Sequence, residues 1–143
     1  MQNNIRRKTL GKNERLFEKK AIESLFDKGK SFHAAPIRAL YIIQHSAFNT
    51  QHFPVRAAFS VPSKIFKRAM DRNLLKRRMR EAYRKNKMEL NDSVRREQVN
   101  CLVMFIYTAH RKLPYAEIES KIFVTLQHLQ KKIVREETAG TNN

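Results

Sequence analysis

The chain has 143 residues, 30 Lys and Arg against 13 Asp and Glu, and a formal net charge of +17. Its hydrophobic fraction of 41% suits one compact domain with a real core and is too high for a disordered basic tail. One Cys excludes an internal disulfide framework and a Cys-rich zinc module, and no apolar run approaches the roughly 18 residues of a membrane-spanning helix. The start, MQNNIRRKTLGKNERLF, lacks a secretory apolar core, so a cytoplasmic protein that avoids membranes is expected.

Residues 1–12 are polar and basic and read as a disordered N-terminal arm, followed by a single domain over 13–135 and a flexible tail over 136–143. From Asn13 the pattern is helical: Asn13 is the expected N-cap, Glu14 suits the first turn, and Gly29 sits where a left-handed C-cap belongs. Ile22, Leu25 and Phe26 fall on one side of that helix. After Pro36, Ile37, Ala39, Tyr41 and Ile43 alternate with their neighbours as a strand with one strongly apolar face. HSAFNTQHF (45–53) reads as a loop, and PVRAAFSV (54–61) as a second strand with Val55, Ala57, Phe59 and Val61 on one face. A basic connector leads into DRNLLKRRMREAYRKNKMEL, helical from an N-cap at Asp71, with a narrow apolar stripe of Leu75, Met79, Ala82 and Tyr83. A polar loop, NDSVRREQV, is expected next. NCLVMFIYTA then reads as a central strand buried on both faces. Pro114 opens a last helix whose buried face is Ile118, Ile122, Thr125, Leu126, Leu129 and Ile133. This order of helices and strands, with room for an extra edge pairing, is an α+β sandwich.

Charge is concentrated in the middle of the chain. Residues 64–87 hold eleven Lys and Arg against two acids, over half of the net charge. Arg72, Lys76, Arg80 and Arg84, spaced by four, line one exposed stripe with Asn73 and Arg77 beside it. Like charges at that spacing repel, whereas solvated helices ordinarily mix signs, so the stripe points to a polyanion, most simply a nucleic acid. Arginine also suits forked phosphate contacts and stacking on bases. Glu81 is expected to pair internally with its basic neighbours. The five His show no metal-binding spacing, Cys101 reads as a small core residue, and three Gly cannot build a phosphate loop. No catalytic group is therefore assigned to the protein. Most aromatics are expected in the core, with Phe26 and Tyr41 as candidates for a partly exposed stacking role.

RNLLKRRMREAYR (72–84) closely resembles the signature of the bacterial ribonuclease P protein family: Arg72, Asn73, Lys76, Arg77, Arg80, Glu81 and Tyr83 match. Phe59, Ser60, Val61 and Lys64 resemble the family's strand and connector, and the resemblance runs over roughly residues 10–132. Leu74 and Ser63 depart, each standing where the family usually has a cation. The resemblance implies an αβββαβα two-layer sandwich, ribosomal protein S5 domain 2-like, with a left-handed βαβ crossover carrying the basic helix. It implies a catalytic RNA partner, the ribonuclease P RNA, which with Mg²⁺ held mainly by RNA and substrate removes the 5′ leader of precursor tRNA. Arg72, Asn73, Lys76, Arg77, Arg80 and Arg84 would dock that RNA. Phe26, Tyr41, Ser60 and Lys64 would line a cleft between the first helix and the sheet for the single-stranded leader. A leader of variable sequence is best held through its backbone and by stacking. Binding should fall about a thousandfold or more between 50 and 200 mM salt if six or more phosphates are neutralised.

Three other readings share the composition. A ribosomal or ribosome-assembly protein would also bind RNA but would ignore a tRNA leader. A DNA-binding regulator would need a helix-turn signal beside the basic helix, which is missing, so DNA is not an expected partner. An autonomous nuclease would need clustered carboxylates, which the sequence does not supply.

Overall fold

The computed structural model describes residues 10–45 and 54–142, with side chains to Val134. The first segment does not begin as a helix. Lys12–Glu14 form a single 3-10 turn, and α1 spans Lys19–Lys28. The expected start at Asn13 fails for a long-range reason. Glu14 turns inward to the buried Lys87 ammonium at 2.6 Å and accepts the Gly11 amide at 2.9 Å. Arg15 and Leu16 then run extended beside residue Ala57, whose carbonyl accepts the Leu16 amide at 2.9 Å. Gly29 ends α1, but in an extended conformation (φ −69°, ψ 150°) and not the left-handed one expected. Its need for glycine is steric, since a Cβ there would run into the Leu25 carbonyl oxygen.

Four strands follow: β1 (Lys30–Ala34), β2 (Ile37–Gln44), β3 (Val55–Ser60) and β4 (Asn100–Tyr107). They form one sheet in the order β1-β2-β4-β3. β1–β2 and β2–β4 pair antiparallel, and β3–β4 pair parallel. β1 is the third early strand that the family resemblance implied and that periodicity alone had left as possible edge pairing. The expected loop at 45–53 falls, apart from His45, outside the described residues, as do residues 1–9 of the expected arm.

The crossover from β3 to β4 consists of two helices, α2 (Ala69–Asn86) and α3 (Met88–Glu97). α2 starts ahead of Asp71, with Arg68 at the N-cap position. Asp71 is instead a brace, held by Arg68 at 3.1 Å and by Lys112 at 3.0 Å. The predicted polar loop is α3, because Leu90 and Val94, one turn apart, reach the core while Asn91 and Ser93 are buried beside them. α3 ends at Gln98, which takes the left-handed conformation at φ 55°. The last helix, α4 (Tyr115–Asn142), runs as expected behind Pro114, and its backbone continues through the predicted tail.

Strand parity divides the core in two. Ile37, Ala39 and Tyr41 of β2, Val55 and Ala57 of β3, and Cys101, Val103, Phe105 and Tyr107 of β4 face one side. There they meet Leu75, Met79, Ala82 and Tyr83 of α2, Leu90 and Val94 of α3, and Ile118, Ile122, Leu126, Leu129 and Ile133 of α4. Leu40 and Met104 face the other side, covered by Leu16 and by Leu25 of α1, with Leu102 and Ile106 only half-buried. β4 is therefore fully buried on one face and partly covered on the other, short of the double burial expected.

Candidate nucleic-acid interface

The apolar stripe of α2 is fully buried and determines which side of the helix meets solvent. Tyr83 lies with its ring centroid 5.8 Å from Phe59 and 5.7 Å from Phe105, and burial pushes its phenol well above the ordinary value. Arg78 donates to the Leu113 carbonyl at 2.6 Å, tying α2 to the turn before α4. Tyr107 fixes the same turn by donating to the Arg111 carbonyl and accepting the Leu113 amide. The helix is thus held by packing and braces in which Arg78 takes part and Asn73, Lys76, Arg77 and Arg80 do not.

On that outer side, Asn73 and Arg77 are exposed and Lys76 and Arg80 half-buried, with no carboxylate partner among the described residues. Burial, Arg15 and Arg77 together lower the pKa of Arg80 from its usual value. An electrostatic pressure of this kind is relieved by an anion. Arg15 is a residue that sequence reasoning missed. It follows the 3-10 turn, and only its bridge to Ala57 brings it beside α2.

Two of the predicted stripe residues are partly occupied. Arg72 donates one guanidinium nitrogen to the Phe66 and Lys67 carbonyls, both at 2.8 Å, closing the connector onto the helix. Arg84 pairs with Glu81 at 2.6 Å, the internal ion pair expected of that acid. Hydrogen bonding to Arg84 lowers the Glu81 pKa. Leu74, at the family's cation position, is half-buried, and Ser63 is exposed.

The expected cleft is only partly assembled from the predicted residues. Phe26 is 62% exposed on α1, and Ser60 shares the α1 side of the sheet through its register with Ile106. Lys64 is exposed on the turn after β3. Tyr41 is a correction. It is 2% exposed and faces α4, with its hydroxyl 3.4 Å from His128 Nε2, because its parity places it opposite Leu40 and α1. Residue Arg38 stands on the α1 side instead, in register with Ile106 and His33. Phe17, 62% exposed just before α1, is a second aromatic that the sequence reading did not single out. Glu18 and Arg56, paired at 2.7 Å, hold the start of α1 against β3. Cys101 is a buried core thiol, as expected.

Comparison with known proteins identifies the family. The sequence model of the Ribonuclease P family matches residues 10–130. A ribonuclease P protein component of Porphyromonas gingivalis strain ATCC 33277 is 33% identical over 131 residues, covering 88% of this chain and 85% of that protein. One from Chlorobaculum tepidum is 38% identical over 69 residues, covering 48% and 45%. The fold is similar to that of the Thermotoga maritima RNase P protein, with a TM-score of 0.59 and 21% identity over 80% of this chain and 96% of that one. It is equally similar to the Staphylococcus aureus protein, with a TM-score of 0.59 and 18% identity over 82% and 93%. With a buried apolar stripe and an outward cationic one in the signature helix, and a family match across most of its length, the chain belongs to the ribonuclease P protein family.

Proposed function

We propose that this protein is the accessory subunit of a ribonuclease P ribonucleoprotein, an endoribonuclease whose RNA carries the chemistry. The observation that carries the reading is the outer side of α2. Lys76, Arg77 and Arg80, without carboxylate partners among the described residues, are held in place by packing on the opposite side of the helix. Asn73, Lys76, Arg77 and Arg80, joined by Arg15, Arg72 and Arg84, dock the ribonuclease P RNA through its phosphates. Phe26, Ser60 and Lys64, with Arg38 in place of Tyr41, receive the 5′ leader of precursor tRNA by stacking and backbone contact. A strongly cationic protein between two RNAs reduces their mutual repulsion, which strengthens substrate binding without a catalytic side chain.

Mg²⁺ was expected to lie mainly on RNA. Among the described residues no group of three His, Cys, Asp or Glu is placed to hold a metal ion. The two acids of α2, Asp71 and Glu81, are engaged by cations. This donor set does not fit a protein-borne site. In this reading the ion is held by RNA and substrate phosphates.

The test is cleavage of 5′-end-labelled precursor tRNA at low Mg²⁺ by the protein, a compatible bacterial ribonuclease P RNA, and the two together. Cleavage at the mature 5′ end is expected only, or far faster, with both present. No gain on adding protein to the RNA overturns the reading.

A further inference from the structure

The α1 side of the sheet carries a row of residues paired strand to strand: Ser60, Ile106, Arg38 and His33. At the usual inter-strand spacing this row is about 14 Å long. It leads to a cavity at the β1 side. His33 Nε2 and Thr108 Oγ1 share a 3.3 Å hydrogen bond, and both residues also line a cavity of about 740 Å³ between the β1–β2 turn and the first turns of α4. That volume is within the range of small organic ligand sites. Pro36 and Leu113 contribute apolar wall, and Arg111 and Lys121 contribute exposed cations that have no carboxylate partner among the described residues. Glu117 is the single acid of the lining.

We propose that this cavity takes one nucleotide of the leader strand, beyond the cleft itself. Its base lies against Pro36 and Leu113, its phosphate between Arg111 and Lys121, and the His33 ring stands at the entrance. The inference rests on the leader-binding reading above and extends it to residues outside both the signature helix and the predicted cleft. Two features select a nucleotide of a bound strand. An apolar wall and two cations match a base and its phosphate. The Arg38–His33 row joins the cavity to the open face where the leader lies.

The test is equilibrium binding of precursor tRNAs with leaders of increasing length, and of mature tRNA, to the reconstituted holoenzyme. Two variants are compared with wild type: Arg111→Ala with Lys121→Ala, and Ser120→Tyr, which fills the cavity without changing charge. Lys131→Ala, an exposed cation elsewhere on α4, is the control and is expected to bind all substrates as wild type does. Wild type should gain affinity as the leader lengthens. Both variants should lose about tenfold of that gain, and only for leaders long enough to reach the cavity. Retention of the whole gain by either variant, or an equal loss for mature tRNA, overturns the cavity assignment. If wild type gains nothing from any leader, the leader-binding reading itself falls, a result distinguishable from failure of the cavity alone.

Discussion

On its inner side α2 presents Leu75, Met79, Ala82 and Tyr83, all without solvent exposure, to the sheet and to α4. On its outer side the same helix presents Asn73, Lys76, Arg77 and Arg80 to solvent, and Arg80 feels the neighbouring charges of Arg15 and Arg77. The inner side decides where the helix sits, and the outer side contributes repulsion to the free protein. A cationic surface of this kind is best explained by what it binds, and it can be altered without disturbing the packing beneath it.

The sharpest way to break this division is at the buried pair behind α2. Lys87 and Glu14 are 1% and 7% exposed, and Lys87→Ala leaves a buried carboxylate without its counter-charge. Urea unfolding should show a loss of about 3–5 kcal/mol, with much of it recovered when Glu14→Gln is added. Next is Leu75→Ala, with an expected loss of about 2–5 kcal/mol in the same measurement and no change in RNA affinity under conditions where the variant stays folded. On the outer side, Arg77→Ala with Arg80→Ala should lower the slope of log affinity for ribonuclease P RNA against log salt by about 2, with the unfolding midpoint unchanged or slightly raised. Arg72→Ala with Arg77→Ala should weaken RNA binding too. It should also lower stability, because Arg72 closes the connector through Phe66 and Lys67.

The smallest effect concerns Asp71. The hydrogen bond from Lys112, then that from Arg68, holds its carboxyl below the ordinary aspartate range. A depressed folded pKa stabilises fully above the unfolded value and loses that contribution as pH falls through the folded one. Stability should therefore decline below about pH 4 more steeply in wild type than in Asp71→Asn, as read by unfolding midpoints from pH 5 to pH 2.

Much of this architecture was legible because its signals are local. The α2 stripe and the six buried positions of α4 follow from helical period, and β2 follows from alternation. β1 was weaker, because KSFHA is a five-residue edge strand with no alternating apolar set. α3 was hidden because its buried residues include Asn91 and Ser93 and only Leu90 and Val94 carry the apolar signal. The start of α1 was misplaced because Glu14 answers to a lysine 73 residues away. In the site, parity showed that Tyr41 and Arg38 point oppositely, but not which face α1 covers, so the cleft received the wrong one. Arg15 had no local signal, since its role comes from the bridge to Ala57.

That bridge also bears on how the chain avoids its own kind. β3 lies at one edge of the sheet, and an unpaired edge strand offers amides and carbonyls to any other strand. Arg15 and Leu16 occupy part of that edge, with the Leu16 amide on the Ala57 carbonyl. A chain shortened past Leu16 would therefore lose a stopper as well as a cation, and its β3 edge would become a template for aggregation.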